Sequence, residues 1–264
     1  MQDFAYHNPG SVADAVAALK GADDGKFLAG GQSFIPVLRL GLAEPSDVIN
    51  LKGLSDLQGI RDGGDHIAIG ALVTHAEVET SDLVKGALPG LATMAGHIGD
   101  PQVRNRGTLG GSVAHADPAA DYPAALIALK ATVVTDRREI ASSDFFRGLF
   151  ETTLEEDEII TQVKFPKAEK AGYGKFASTA SKYALVGVFV AKHGSEVRVA
   201  VTGASARYFR VAAMEQALAA HWSADALDGI VVPPDDLQSD MEADAAYRAH
   251  LVGVMAKRAV SAAG

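Results

Sequence analysis

Short apolar runs and an amphipathic helix alternate over the first 55 residues. Apolar positions at helical spacing follow Ser11, and Ser11 with Asp14 has the spacing of a capping box. Three apolar runs predict strands, at residues 4–6, 27–29 and 48–51. A short packed helix is expected just after the second run. The pattern therefore predicts a small α/β unit at the start of the chain.

Capping signals and apolar runs continue over residues 56–168. Thr74 and Glu77 form a second capping box, and the run from Leu88 to Ala95 predicts a helix that ends at Gly96. The other elements predicted here are strands near residues 60, 67–69, 132–134 and 159–166, a helix over 119–129 opened by Pro118, and a short helix that closes over 145–148.

Residues 169–264 combine three strand patterns with helices. The expected antiparallel strands are 175–178, 186–191 and 197–203, and the expected helices are 212–219, 224–230 and about 244–262. A boundary is expected near residues 168–172, where polar residues and glycine collect. The chain as a whole is predicted to be α+β.

The stretch over residues 97–123 fits neither a core strand nor a helix interior, because it is polar and rich in Gly and Pro. Gly107, Gly110 and Gly111 allow close approach of the backbone. Thr108 and Ser112 add hydroxyl donors, and the acceptors that follow are Asp117 and Asp121. Backbone N–H groups with hydroxyls suit a pyrophosphate, and a nearby acid suits a ribose hydroxyl. The alternative is a long irregular loop between two helices.

A second glycine turn lies about eighty residues earlier in the chain. An apolar strand runs into Gly30 and Gly31, and Ser33 is placed to cap the following turn. A helix N-terminus after a glycine turn offers unpaired N–H groups and a positive dipole end to an anion. No Gly-Lys-Ser/Thr follows, so this is not a Walker A loop. Two such turns fit one ligand held from two sides.

Composition limits the possible functions. The 264 residues are 48% hydrophobic and carry a formal charge of −9, which argues against nucleic acid or an anionic membrane as the main partner. With no cysteine, the chain cannot hold a Cys-ligated iron–sulfur cluster, a disulfide, a thiolate nucleophile or a Cys-linked flavin. No 18-residue apolar run and no signal-peptide pattern is found, so a cytoplasmic location is expected.

The two glycine motifs together resemble those of a known family. Ala29-Gly30-Gly31-Gln32-Ser33 and Thr108-Leu109-Gly110-Gly111-Ser112, preceded by Val103–Gly107, are similar to the FAD-binding medium subunit of the molybdenum hydroxylases (xanthine oxidase family). The branch it resembles most is the medium subunit of aerobic carbon monoxide dehydrogenase. The likeness runs nearly end to end, from Phe4–Pro9 to Lys257-Arg258-Ala259.

The resemblance implies a fold and a division of the chain. Residues 1–168 would form a two-part FAD-binding domain of the vanillyl-alcohol-oxidase (PCMH) type, with subdomains at about 1–55 and 56–168. Residues 169–264 would form a C-terminal domain like that of carbon monoxide dehydrogenase flavoproteins, with a three-stranded antiparallel sheet and helices.

The resemblance also implies which residues contact FAD. Asp121 matches the carboxylate that holds the adenosine ribose, Ile160 a residue along the flavin or adenine, and Tyr183 an aromatic on the isoalloxazine ring. Asp117 is an additional acceptor or only caps the turn before Pro118. The complete expected set is Leu28, Ala29, Gly30, Gly31, Gln32, Ser33, Phe34, Thr108, Leu109, Gly110, Gly111, Ser112, Asp117, Asp121, Ile160 and Tyr183.

Plain structural interpretations remain open for the same residues. The glycines would serve turns, Asp121 a helix N-terminus, Ile160 a core strand and Tyr183 an ordinary domain seam. The chain also departs from the family near Tyr183. Lys182 stands where relatives often have an acid, and the 177–179 segment lacks a basic residue frequently present there.

The function implied by the resemblance is electron transfer within a heterotrimer. A large partner would carry the molybdenum–pterin centre and a small partner two [2Fe-2S] clusters, and the assembly would be a dimer of heterotrimers, peripheral at most to the inner membrane face. The alternative is a free-standing FAD-dependent oxidoreductase with its own small substrate, although no candidate general base is found.

Other chemistry is not supported by the sequence. The eight histidines show no metal-ligand spacing, so no metal is expected in this chain. No catalytic residue is assigned. Arg104 and Arg106 are placed to pair with phosphate or with acids of a neighbouring subunit, and the second interpretation is preferred.

Overall fold

The computed structural model describes residues 3–264, which form three main sheets and a small hairpin. The strands are β1 (Ala5–His7), β2 (Gly25–Leu28), β3 (Asp47–Asn50), β4 (Ile60–Asp62), β5 (His66–Gly70), β6 (Thr132–Thr135), β7 (Glu139–Ala141), β8 (Phe146–Gly148), β9 (Glu151–Thr152), β10 (Ile160–Pro166), β11 (Lys170–Ala177), β12 (Ala184–His193), β13 (Glu196–Thr202) and β14 (Phe209–Arg210).

The helices lie between and against these sheets. They are α1 (Val12–Lys20), α2 (Phe34–Arg39), α3 (His75–Thr80), α4 (Asp82–Ala87), α5 (Pro89–Gly96), α6 (Pro101–Arg104), α7 (Leu109–His115), α8 (Tyr122–Ala128), α9 (Ser142–Phe145), α10 (Ala212–Ala220) and α11 (Ala245–Ala262), with 3₁₀ turns at Ser55–Leu57 and Ala224–Leu227. Within residues 3–264, no helix combines the length and apolar character needed to cross a bilayer.

Strand order differs between the sheets. The first sheet is parallel, in the order β1-β3-β2. The second is antiparallel, in the order β4-β5-β10-β6-β7, so β10 returns from far along the chain to the sheet centre. The third, the C-terminal sheet, is antiparallel, in the order β11-β12-β13-β14. The α+β class is confirmed.

The predicted helix starts are supported by observed caps. The Ser11 side chain accepts a hydrogen bond from the Asp14 N–H at the start of α1. Thr74 and Glu77 make both bonds of a capping box at the start of α3. Local hydrogen bonding therefore fixed these two boundaries as the sequence predicted.

Several predicted elements differ from the structure. The helix expected over 224–230 is only a 3₁₀ turn at Ala224–Leu227. The C-terminal sheet has four strands, because Phe209–Arg210 pairs with β13. The helix expected over 119–129 spans only Tyr122–Ala128, because the preceding residues are hydrogen-bonded to the C-terminal sheet instead. The 145–148 segment ends a helix at Phe145, and Phe146–Gly148 then pairs with β9.

The first C-terminal strand, β11, also begins earlier than expected, at Lys170. Two glycines, Gly172 and Gly174, weaken the strand pattern in the sequence. In the structure, a Cβ at either position would collide with backbone carbonyls of α11, at Ala259 and Met255. These glycines let the last helix lie directly on the sheet.

The hydrophobic core is continuous across the expected boundary near residue 168. The largest cluster packs α5, α7 and α8 against β5 and β10, and it also contains Tyr173, Phe189 and Ala200 from the C-terminal sheet. The opposite face of that sheet packs on α10 and α11 in a second cluster. The sheet is therefore buried on both faces, and the division of the chain into domains stays a prediction.

Candidate functional site

The first glycine segment, residues 29–33, joins β2 to α2. Gly31 has φ +76°, a left-handed conformation that favours glycine. A Cβ on Gly30 would collide with the Arg106 carbonyl and Gly107. The segment therefore requires glycine at both positions, once for the backbone angle and once for close contact with the second segment.

The backbone donors of this first segment lack protein partners. Among residues 3–264, no acceptor is found for the N–H groups of residues 30–34. Ser33 lies at the N-cap of α2, but its side chain makes no capping bond, so the predicted cap is only positional. Pro36, in the first turn of α2, has no N–H group. Five consecutive free donors at a helix start suit an anionic oxygen ligand.

The second glycine segment, residues 107–112, is bonded within the protein. The Leu109 N–H donates to the Val73 carbonyl at 2.9 Å, and the Gly110 N–H donates to the Ala71 carbonyl at 2.8 Å. The Thr108 hydroxyl accepts from the Gly111 N–H at 3.2 Å and caps α7. The Ser112 N–H closes the same turn on the Thr108 carbonyl at 3.0 Å.

Glycine is needed in the second segment mainly for packing. A Cβ on Gly110 would lie 2.5 Å from the Ala71 Cβ, and one on Gly111 would lie 2.8 Å from the Thr108 hydroxyl oxygen. Gly110 is fully inside the molecule, whereas Gly111 and Ser112 are half-buried. The part of this segment left open to a ligand is therefore its Gly111–Ser112 side.

The structure brings the two segments into contact, as the paired motifs predict. A Cβ added to Gly111 would lie 3.7 Å from the Ala29 Cβ, and the Gly30 backbone packs directly against Gly107. Leu28 and Phe34 flank the first segment at the end of β2 and the start of α2. Gln32 is exposed beside them. The contact roles of all these residues stay predictions.

Asp117 and Asp121 lie at opposite ends of a short acidic segment, residues 117–121. Asp117 is half-buried, and one carboxylate oxygen accepts from the Ala119 N–H at 2.8 Å, which is the turn cap anticipated from the sequence. Asp121 is only 4% exposed and makes no helix cap. Instead, its carboxylate accepts hydrogen bonds from the Tyr173 hydroxyl and the Lys175 ammonium.

Burial determines the electrostatics of this cluster. Burial raises the pKa of Asp121, and Lys175 and Tyr173 act in the opposite direction. The pKa of Tyr173 is raised by burial and by the Asp121 charge. The phenol therefore stays protonated and donates a hydrogen bond to the Asp121 carboxylate. Sequence reasoning missed Tyr173 and Lys175. Their alternation on β11 would have shown that they share one face.

Ile160 and Tyr183 occupy contrasting surroundings. Ile160 begins β10 and is buried. Tyr183 is 43% exposed and immediately precedes β12. Burial and the Asp117 charge raise the pKa of Tyr183, while a side-chain interaction with Ser33 lowers it. The C-terminal aromatic thus lies beside both the first glycine segment and the acidic segment, and its stacking role stays a prediction.

A cavity of about 210 Å³ lies beside the first glycine segment. Its walls include Gly30, Thr108 and the cationic residues Lys52 and Arg106. Within the part of the chain that the structure describes, neither cation makes an ion pair. Arg104 pairs with Glu79 of the same chain at 2.8 Å, so its carboxylate partner is already supplied internally. Pairing of Arg106 with a neighbouring subunit stays a prediction.

The arrangement supports ligand binding better than acid–base catalysis. Among residues 3–264, no group of three or more His, Asp or Glu residues is arranged to hold a metal ion. His75 is buried under the second segment, and burial lowers its pKa to about 4, so it is neutral at pH 7. Free backbone donors, hydroxyls and carboxylates instead match the diphosphate and ribitol or ribose oxygens of a dinucleotide.

Comparisons with known proteins agree with this chemistry. Residues 2–168 match the family model described as FAD binding domain in molybdopterin dehydrogenase. The chain is 38% identical to the nicotine 6-hydroxylase medium subunit of Paenarthrobacter nicotinovorans, over 98% of this chain and 96% of the relative. It is 37% identical to the carbon monoxide dehydrogenase medium chain of Hydrogenophaga pseudoflava, with the same coverage.

A solved structure shows the same fold. A chain of carbon monoxide dehydrogenase from Hydrogenophaga pseudoflava superposes with a TM-score of 0.86 at 36% identity, covering 98% of this chain and 96% of that one. The similarity thus extends through the C-terminal sheet, beyond the residues that the family model matches.

Proposed function

Since the chain belongs to the family of FAD-binding domains of the molybdopterin dehydrogenases, and is an oxidoreductase subunit with FAD as its cofactor, we propose that it carries electrons within a molybdenum hydroxylase complex. Electrons would arrive from [2Fe-2S] clusters of a small partner and leave to an external acceptor. Bound FAD would supply a centre that accepts two electrons at once.

One observation supports this proposal above the others. The five free N–H groups of residues 30–34 lie at a helix start that contacts the second glycine segment. The first segment would hold the diphosphate of FAD through these donors, and Ser112 and Gly111 would face it from the other side. Tyr183 would stack on the ring system, and Ile160 would lie along the flavin or adenine.

The chain itself would bind FAD, orient it and shield it from solvent rather than transfer protons. Asp121 and Tyr173 are already hydrogen-bonded to each other, and His75 is buried away from solvent. Lacking cysteine, the chain needs a partner for any thiolate-bound cluster. The relatives are named as medium subunits or chains, which supports assembly with a large molybdenum–pterin subunit and a small cluster subunit.

The complex would be a dimer of heterotrimers in the cytoplasm. The residues that choose the substrate would lie on the large subunit, because nothing in the described part of this chain forms a substrate pocket with a general base. The relatives themselves are named for nicotine hydroxylation and for carbon monoxide dehydrogenation, although both are similar in sequence to 98% of this chain.

Gentle purification from the native host tests the proposal directly. We expect flavin bands together with broad iron–sulfur absorbance, and one large and one small chain that co-purify in equal amounts. A single yellow protein with flavin bands alone would contradict the complex and support a free-standing flavin oxidoreductase. A colourless protein that does not bind added FAD would contradict both.

A substitution tests the cofactor site itself. Gly111→Val places a branched side chain on the open side of the second segment, so we expect FAD to be lost while the fold remains. Gly86→Val is the matched control, since Gly86 lies in α4 with no atom near its missing Cβ. Flavin content equal to the parent in a folded Gly111→Val protein would remove this assignment.

A further inference from the structure

The acidic segment, residues 117–121, is held almost entirely by donors from the C-terminal half of the chain. The Tyr208 hydroxyl donates to the Asp117 carbonyl at 2.6 Å. The Gly203 N–H and the Thr202 hydroxyl both donate to the Pro118 carbonyl at 2.8 Å. The Thr202 hydroxyl also lies 2.6 Å from the Ala120 carbonyl.

We call the set of contacts that the C-terminal half makes to residues 117–121 the clasp. Its strongest part is the ion pair between Asp121 and Lys175. The Lys175 ammonium lies 2.9 Å from one carboxylate oxygen and 3.0 Å from the other, and both side chains are 4% exposed. The Tyr173 hydroxyl donates to the same carboxylate. Lys175 also donates to the His97 carbonyl at 3.0 Å. Both oxygens of Asp121 are therefore already engaged inside the protein.

The clasp connects directly to the residue expected to stack on the flavin. The Ala184 N–H lies 3.4 Å from the Ala119 carbonyl, and Ala184 follows Tyr183 in the chain. Tyr173, Lys175 and Thr202 lie on strands adjacent to this one. A shift of the acidic segment would therefore be transmitted to Tyr183, because the strand ends share hydrogen bonds.

We propose that Lys175 and Tyr173 are positioning residues for the FAD site, and that Asp121 serves the site as the anchor of the acidic segment rather than as a ribose ligand. The C-terminal sheet thereby sets the placement of both the acidic segment and Tyr183 relative to the first glycine segment. This inference rests on the proposed function, since it concerns the same cofactor site.

Breaking the ion pair from the lysine side is the most informative test. Lys175→Met keeps most of the side-chain volume but leaves the Asp121 carboxylate buried without its cation. In the purified complex, we expect FAD affinity to fall about tenfold or more, with a shifted flavin absorption spectrum. Lys192→Met is the matched control: it removes a partly exposed lysine of the neighbouring strand β12 and should leave both unchanged.

A double-variant cycle separates an anchor from a ligand. If Asp121 is the anchor, each single variant, Asp121→Asn or Lys175→Met, removes the same bond that the double variant removes. All three proteins then lose similar FAD affinity, so the effects of the two substitutions do not add. If Asp121 binds the ribose itself, Asp121→Asn loses affinity regardless of residue 175 and the effects add. The additive result would overturn the proposal.

A third variant guards against simple unfolding. Tyr173→Phe removes only the hydroxyl, and we expect a smaller loss of FAD affinity with the same direction of spectral shift. If Lys175→Met or Tyr173→Phe lowers the melting temperature but leaves FAD affinity and spectrum as in the parent, the residues are merely structural and the proposal fails. A parent protein that binds no FAD would instead contradict the proposed function.

Discussion

The two glycine segments look alike in sequence but differ in how their backbone is bonded. Each has a Gly-Gly pair followed closely by a serine. The N–H groups of the first, residues 29–33, are without protein acceptors from Gly30 onward, whereas those of Leu109 to Ser112 are bonded within the protein. The first segment thus offers a ligand its backbone, and the second offers mainly shape.

Glycine therefore has two separate uses at this one site. Gly31 adopts a left-handed backbone, and Gly110 allows α7 to lie against the Ala71 backbone. Substitution of Gly31 in the first segment should therefore change ligand affinity more than stability, whereas Gly30 is also needed for packing against Gly107. Substitutions deep in the second should do the reverse.

The largest expected effect is on the stability of Gly110→Val. Its side chain would overlap Ala71, both its Cβ and its backbone, so we expect about 3 kcal/mol or more of lost unfolding free energy. Urea unfolding of the FAD-free chain measures this. The control is Gly86→Val, whose added atoms meet open space. Equal stability of the two variants would show that the second segment is not part of the core.

The next largest effect is a dependence of folding stability on pH, caused by His75, which is buried beneath the second segment. The backbone N–H of His75 donates to the Gly107 carbonyl at 3.0 Å, which holds the residue beneath the second segment. Burial lowers the pKa of the His75 imidazole from 6.5 to about 4. Because the unfolded chain binds the proton more readily, stability is fully present above pH 6.5 and falls toward pH 4, by about 3 kcal/mol in total.

Urea midpoints between pH 7 and pH 5 measure this dependence on the FAD-free chain. His75→Gln should flatten the profile, whereas His250→Gln, which changes an exposed histidine of α11, should leave it as in the parent. A parental profile in His75→Gln would mean that other groups cause the acid sensitivity.

A smaller effect on stability, with a larger one on binding, is expected for Gly31→Ala. The left-handed backbone costs an alanine about 1–2 kcal/mol, and the new Cβ would meet the Ile35 side chain at 2.6 Å. Gly41→Ala is the control, because Gly41 has a similar φ of +68° and nothing near its Cβ. FAD titration should separate the variants about tenfold or more, and similar affinities would place the ligand elsewhere.

The smallest effects are expected at Thr108 and Ser33, whose hydroxyls both lie at helix starts. Thr108→Val removes a cap that accepts the Gly111 N–H and should cost about 1 kcal/mol of stability. Ser33→Ala removes no capping bond and should cost little stability, but it should weaken FAD binding if the first segment contacts the ligand. Thermal unfolding and FAD titration of both proteins provide the comparison. Equal melting temperatures would mean that Thr108 does not support α7.

Local signals in the sequence predicted much of the fold. Ser11, Thr74 and the apolar periodicities depend on near neighbours, and these elements formed as expected. The early start of β11 was hidden because Gly172 and Gly174 serve contacts with α11, which is distant in sequence. The fourth strand, β14, is too short to leave a period-2 pattern.

The site was predictable to a similar extent. The paired glycine motifs indicated two segments in contact, and the structure brings them together. Their opposite hydrogen bonding was not predictable, because the acceptors for the second segment, at Ala71 and Val73, come from an unrelated part of the sequence. The Asp121–Lys175 pair was missed for the same reason: it joins residues that only the folded chain brings together.

The clasp on residues 117–121 has a consequence for the order of events during synthesis. Both glycine segments and the acidic segment leave the ribosome before Tyr173, Lys175, Thr202 and Tyr208, which supply the clasp's side-chain donors. A nascent chain that ends between Tyr183 and Tyr208 has every expected FAD contact but leaves the acidic segment incompletely held. If the clasp positions the FAD site as proposed, loading of the cofactor is expected to be a late step, completed after the C-terminal sheet has folded onto the earlier residues.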